Sequence, residues 1–166
     1  DLLARATGRD SKTIFDATAG LGRDAAHLAW LGRKVTAVER SPVLAELLRD
    51  AVGSLGLGSG QGSITVHCGD SQLLLKKFPQ ADVVYLDPMF PGRGIHHAAS
   101  RKELELLRGL VGCDPDAKAL AKLAWTCAGR RMVVKRPRYA EPLAGAPDFV
   151  VAGRAIRYDV YLSVPQ

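Results

Sequence analysis

The chain has 166 residues, a length that fits one domain and can bury a core without disulfide or metal staples. Hydrophobic residues make up 47% and charged residues 24%, which excludes a disordered polyelectrolyte, and no apolar run is long enough to cross a bilayer. The formal net charge of +6 favours a polyanionic partner, since phosphates bind Lys and Arg with release of counterions, but charge by itself names no partner.

The first residue is Asp1 rather than Met, so the natural N-terminus is expected to lie upstream, and no signal-peptide pattern opens the chain. Cys68, Cys113 and Cys127 are widely spaced and odd in number. They show neither zinc spacing nor a disulfide framework and read as thiols in a reducing cytoplasm.

In chain order, residues 13–17 (TIFDA) form a short apolar run ending at glycines, a buried strand. Residues 23–31 carry Ala25, Ala26, Leu28, Ala29 and Leu31, the pattern of a helix packed on a sheet. Residues 34–39 (KVTAVE) are a second strand. Ser41-Pro42 then starts a helix to about Val52, with Ser as cap and Pro at the first helical position. The glycine-rich stretch 53–62 is a surface loop.

Residues 63–68 (SITVHC) and 82–86 (DVVYL) are the third and fourth strands. Residues 91–100 read as a polar loop and 102–110 as a short helix. Asp114-Pro115 is expected to cap a longer helix with Leu120, Ala121, Leu123, Ala124 and Cys127 on one face. Residues 131–135 (RMVVK) are a fifth strand, and 149–152 with 156–164 a final antiparallel pair. Strands separated by helices imply an α/β fold, a mostly parallel sheet covered on both faces. Ligands of such sheets bind beyond the carboxyl ends of the strands, at the topological switch point.

Five segments at predicted strand ends carry candidate chemistry. Asp16-Ala17-Thr18-Ala19-Gly20-Leu21-Gly22-Arg23-Asp24 links strand one to a helix. Its glycines let backbone approach a ligand closely, and the helix start offers free N–H groups. The run from Gly20 to Ala25 also fits the dinucleotide pattern G-x-G-x-x-G/A, so a nicotinamide enzyme is a rival at this point. Glu39, ending strand two, can accept hydrogen bonds from two ribose hydroxyls of NAD or of S-adenosylmethionine, and Arg40 can pack over the adenine. Asp70 and Ser71, past strand three, can read an adenine amino group.

Asp87-Pro88-Met89-Phe90-Pro91 separates the alternatives. Asp87 and the Pro88 carbonyl can each accept one N–H of an exocyclic amine, while Phe90 can stack on its base. Two acceptors on one –NH2 aim its lone pair at an electrophile, which serves an amine methyltransferase and not a dehydrogenase. Lys135, Arg136 and Arg138 follow strand five and can hold phosphates, with Tyr139 stacking on a base. Arg93, Arg101 and Lys102 can extend that patch. His96-His97 lack partnering ligands, His27 reads as structural, and no metal site is expected.

Taken together, DATAGLGRDA, the strand-end Glu39-Arg40 pair, VVYLDPMFP, LVGCDPDA and VVKRPRYAEPLA resemble the ribosomal RNA small subunit methyltransferase J family, from about Phe15 to Pro165. The resemblance implies a Rossmann-like, seven-stranded, mostly parallel sheet with an antiparallel C-terminal strand. It implies methylation of the N2 amine of a guanine in bacterial 16S ribosomal RNA, with S-adenosylmethionine as cofactor and the cytoplasm as location. Cofactor contacts carry over to Arg23-Asp24, Glu39-Arg40, Asp70-Ser71 and Asp87, beside Asp16, Gly20 and Gly22 of the loop. Amine methyltransferases carry a D-P-P-Y-like motif; DPMF keeps the ring and loses the hydroxyl. Residues 1–166 are expected to be a single methyltransferase domain lacking the family's N-terminal segment. The readings left beside it are a DNA adenine-N6 or protein-glutamine methyltransferase, a nicotinamide oxidoreductase, and a non-catalytic RNA-binding module.

Overall fold

The computed structural model describes residues 1–58, 60–88 and 116–163. One seven-stranded sheet runs β3-β2-β1-β4-β5-β7-β6. Its strands are β1 (Thr13–Asp16), β2 (Lys34–Glu39), β3 (Ser63–Cys68), β4 (Val83–Leu86), β5 (Arg131–Pro137), β6 (Phe149–Ala152) and β7 (Ile156–Leu162). Strands β1 to β5 pair in parallel, and β7 lies antiparallel between β5 and β6. The helices are α1 (Leu2–Thr7), α2 (Arg23–Trp30), α3 (Pro42–Ser54), α4 (Ser71–Leu74) and α5 (Ala117–Cys127).

Central strands are apolar on both faces because both are covered, as in VVYL of β4, which is buried at every position. Ile14, Val35, Ala37, Val83, Tyr85, Val133 and Val160 face one side and pack against Leu3, Ala25, Leu28 and Leu48 of α1 to α3. Phe15, Val38, Val84, Leu86, Met132, Val134 and Tyr161 face the other, against Leu120, Ala121 and Ala124 of α5. Among the described residues no helix is long and apolar enough to cross a membrane.

Three differences from the sequence expectations have local causes. β5 continues to Pro137 rather than ending at Lys135, because β7 pairs with it from Arg131 to Pro137 while β4 stops at Val134. α1 and α4 were not anticipated; both are too short to show a period, and each is capped by an aspartate, Asp1 and Asp70. α5 begins at Ala117 after Asp116, whose carboxylate makes no cap and instead meets Arg40 and Gln72. Asp114-Pro115, the expected 91–100 loop, the expected 102–110 helix and Cys113 lie outside the described residues, as do the last three residues of the chain.

The order β3-β2-β1-β4 makes the chain wind outward from β1 in one direction and then cross back to β4 on its other side. The switch point is therefore the gap between the carboxyl ends of β1 and β4. Asp16 ends β1, and Asp87 follows β4.

Candidate active site

The β1–α2 loop is shaped by backbone bonds to both neighbouring strands. Ala17 donates its amide to the Tyr85 carbonyl at 2.9 Å, and Ala19 to the Val38 carbonyl at 3.0 Å. Gly20 and Gly22 sit at φ 54° and 74°, the left-handed region where a side chain is strained. Gly22 is also the cap of α2, and a Cβ there would meet Leu48 Cδ1 at 2.2 Å.

Glu39, 5% exposed, pins this loop from β2. Its Oε2 accepts the Gly20 amide at 2.9 Å, and its Oε1 accepts the Ser41 amide at 2.8 Å. β3 is tied in next. Asp70 caps α4 by accepting the Gln72 amide at 2.8 Å, and the buried Ser71 hydroxyl donates to the Ala17 carbonyl at 2.6 Å. Arg40 points along the rim to Asp116 at 3.1 Å, and Gln72 donates to the same carboxylate at 3.0 Å. Those donors, working against partial burial, hold the Asp116 carboxyl below its usual range.

At the switch point the Asp87 amide donates to Thr18 Oγ1 at 2.6 Å, which joins the β4 corner to the glycine loop. Lys135, 9% exposed, donates from Nζ to Asp24 Oδ2 and to Asp87 Oδ2, each at 2.8 Å. The Tyr85 hydroxyl donates to the same Asp24 oxygen at 2.5 Å. Burial pulls the Lys135 ammonium down, but Asp87 and Asp24 more than offset it and hold it charged, above the ordinary lysine range. Asp16 is pushed up to about 8, chiefly by burial; the Thr18 amide opposes that, and the Asp24 and Asp87 charges add to it. Burial and the same two carboxylates push the Tyr85 phenol well up, and Tyr158 up to about 12.

Asp16, Gly20, Gly22, Asp24, Glu39, Asp70, Ser71, Asp87 and Pro88 all converge at the carboxyl ends of β1 to β4, as the motif order anticipates. Their individual settings differ from the expectations. Both Glu39 oxygens already hold backbone amides, and the Ser71 hydroxyl points inward at a carbonyl. Arg40 lies against Asp116, and Arg23 is exposed on the first turn of α2.

The basic stretch is more enclosed than its sequence suggests. Lys135 is enclosed between two carboxylates rather than open to phosphates. Arg136, its neighbour on the strand, faces the opposite side of the sheet, is 7% exposed and donates to the Glu141 carbonyl at 2.5 Å. Alternation along β5 turns the two side chains to opposite faces of the sheet. Arg138 donates to the Gly153 carbonyl and lies 5.7 Å from the centre of the Tyr139 ring, which is 89% exposed. Met89, Phe90, Pro91, Arg93, His96, His97, Arg101 and Lys102 lie outside the described residues.

Thr18, Tyr85, Tyr158 and Asp116 were not singled out from the sequence. Tyr85 sits inside an apolar run and reads as core. The signal for its role is register: Tyr85 pairs with Val133 and Lys135 with Tyr158, so the period of two sets Tyr85, Asp87, Lys135 and Tyr158 on one face.

The chemistry of this rim is acidic. Asp24 and Asp87 enclose the buried Lys135, and Glu39 and Asp70 stand at the neighbouring strand ends, a setting that suits a ligand bearing a sulfonium and an α-ammonium and opposes a pyrophosphate. Together with the strand order and the antiparallel β7, this defines a Rossmann-like S-adenosylmethionine-dependent methyltransferase. The family model described as "Putative SAM-dependent methyltransferase" matches residues 1–163. Ribosomal RNA small subunit methyltransferase J of Coxiella burnetii (strain RSA 493 / Nine Mile phase I) is 46% identical, over 99% of this chain and 67% of the relative. The protein of that name from Thioalkalivibrio sulfidiphilus is 42% identical, over 97% of this chain and 67% of the relative. A crystal structure of a SAM-dependent methyltransferase from Neisseria gonorrhoeae superposes with a TM-score of 0.77 at 38% identity, covering 99% of this chain and 67% of that one. An RNA methyltransferase from Salinibacter ruber, solved with S-adenosyl-L-homocysteine, shares the fold at TM-score 0.61 and 16% identity, covering 99% of this chain and 88% of that one. The chain belongs to the ribosomal RNA small subunit methyltransferase J family. It spans about two thirds of the length of the curated relatives it matches. The family sets the nicotinamide oxidoreductase reading aside.

Proposed function

We propose that this chain methylates the exocyclic N2 amine of a guanine in bacterial 16S ribosomal RNA, using S-adenosylmethionine bound across the carboxyl ends of β1 to β4. The observation that carries the reading is the position of Asp87-Pro88 at the switch point, linked through Thr18 to the glycine loop. An RNA substrate implies a cytoplasmic site of action.

In this reading the 16–24 loop and α2 receive the methionine end of the cofactor, Glu39 and Arg40 its ribose and adenine side, and Asp70-Ser71 the adenine edge. Asp87 and the Pro88 carbonyl each accept one N–H of the target amine, and Phe90 is the stacking ring. The cofactor supplies the methyl as a sulfonium electrophile: the nitrogen lone pair forms the N–C bond as the C–S bond breaks, its electron pair passing to sulfur. The methylated nitrogen then releases one proton, so Asp87 needs to orient rather than to be a strong base. The target guanine has to leave its stack to reach the corner, which costs least in a loop or single-stranded region. Arg138 and Tyr139 are the described residues best set to meet the RNA around it; Arg93 is assigned there from the resemblance alone.

The test is Asp87→Ala, assayed by transfer of labelled methyl to 16S ribosomal RNA, to DNA and to protein. RNA is expected to be labelled by the unaltered chain at the guanine amine, and labelling is expected to vanish in the variant while its thermal transition and S-adenosylhomocysteine binding persist. Near-normal turnover in the variant, or labelling of DNA or protein instead, overturns the reading.

A further inference from the structure

The buried ammonium of Lys135 has a geometry that neither a phosphate contact nor a core lysine requires. It stands on β5, outside the β1 to β4 segments that supply the other candidate groups, yet it spans them. Its Nζ is 2.8 Å from Oδ2 of Asp24 on α2 and 2.8 Å from Oδ2 of Asp87 beyond β4, with the side chain 10% exposed. Among the described residues, the titratable groups facing this centre are Asp16 of β1, Asp24 of α2, Tyr85 of β4, Asp87, and Tyr158 of β7. The two tyrosine rings, with centroids 6.5 Å apart, wall it on one side. Two carboxylates therefore share one largely buried cation, with the Asp16 carboxyl in electrostatic reach of all three. Remove the cation and the carboxylates repel, so each takes up a proton more readily.

We propose that Lys135 is a positioning residue for methyl transfer: it fixes the direction of the Asp87 carboxylate, keeps it ionised for the amine, and couples that corner to the cofactor helix through Asp24. This rests on the reading of Asp87 given above. Burial opposes a charged lysine, but Asp87 and Asp24 outweigh it, so the ammonium persists through the neutral range. Asp87 is the member of the group that meets the amine, and a protonated Asp87 would offer an O–H where the amine needs an acceptor.

The experiment is the pH profile of kcat/KM for Lys135→Met and Lys135→Arg beside the unaltered enzyme. Lys135→Met is expected to shift its acid limb upward by about one unit, which lowers kcat/KM by nearly tenfold at pH values below the limb and leaves the rate near that of the unaltered enzyme well above it, since one unit corresponds to a tenfold change in ionised fraction on that limb. Lys135→Arg, which keeps a cation against both carboxylates, is expected to return the limb towards its original position. A uniform loss at every pH with an unmoved limb overturns the proposal, because a purely structural lysine would act that way; so does an unchanged rate. Carbon-13 titration of the aspartate carboxyls in the unaltered enzyme does not depend on either variant folding: Asp87 ionised at pH 6 supports the proposal, and Asp87 still taking up its proton near neutral pH overturns it. An active Asp87→Ala would sink the methyl-transfer reading itself, whereas an inactive Asp87→Ala with an unmoved Lys135→Met limb sinks this inference alone.

Discussion

Glu39 and Gly20 stand 2.9 Å apart through a hydrogen bond from the Gly20 amide to Oε2, and this contact carries the carboxylate of β2 into the loop after β1. Because Oε1 holds the Ser41 amide as well, the side chain is set as a bracket between two loops before any ligand arrives. Glu39→Gln keeps the shape but turns an –NH2 towards one of the two amides. Hydrogen bonds to a charged group contribute about 1.5–3 kcal/mol, so S-adenosylhomocysteine should bind at least about tenfold more weakly by calorimetry. An unchanged Kd would show that the bracket is not part of the cofactor site.

Gly22 and Gly20 separate stability from ligand access. Gly22→Ala forces a Cβ to 2.2 Å from Leu48 Cδ1 at φ 74°, combining strain with overpacking. It should cost at least about 2 kcal/mol and lower the melting temperature by several degrees. Gly20→Ala, at φ 54° with nothing within 4 Å of its Cβ, should cost only about 1 kcal/mol. Differential scanning calorimetry of the two variants decides, and equal melting temperatures would contradict the packing described.

Asp16 makes stability depend on pH. Its carboxyl is pushed up to about 8 from an ordinary 3.8, first by burial, against the Thr18 amide and with the Asp24 and Asp87 charges. The folded state then holds a proton that the unfolded chain releases. The stability from this group is complete below about pH 4 and is lost as the pH rises towards 8. Asp16→Asn removes the titration while keeping an acceptor for the Thr18 amide. The melting temperature of the unaltered chain should therefore fall relative to this variant between pH 5 and 8, and the gap should level off above that. A gap that stays constant with pH would mean that Asp16 is ionised throughout.

Tyr139, 89% exposed beside Arg138, is expected to act on RNA and not on cofactor. Stacking of a base on an aromatic ring contributes about 1–3 kcal/mol, so Tyr139→Ala should weaken binding of a 16S ribosomal RNA fragment about tenfold and leave S-adenosylhomocysteine affinity alone. Equal RNA affinity in a filter-binding assay would remove Tyr139 from the interface.

Much of the fold was legible because its signals are local. Apolar runs ending at glycine or Asp-Pro mark β1 and β4, and Ser41-Pro42 starts α3 where the cap and the fixed proline φ require it. β2, β3 and β6 keep the bounds read from the sequence, since each apolar run stops at charged, glycine or turn residues. The one-turn α4 had no period to display, and the Asp116 carboxylate before α5 meets Arg40 and Gln72 from distant elements rather than capping the helix.

The sequence by itself determined the order of the strand-end motifs, and with it which residues gather at the sheet's carboxyl edge, because alternation of strand and helix dictates a parallel sheet. Only the tertiary structure decided what each charge meets. Lys135 and Arg136 are adjacent in sequence and alike in charge, yet a period of two sends one into Asp24 and Asp87 and the other to the opposite face. Which partner stands across the sheet follows from register and strand order, and those are fixed by the packing of the whole core rather than by any local run of residues.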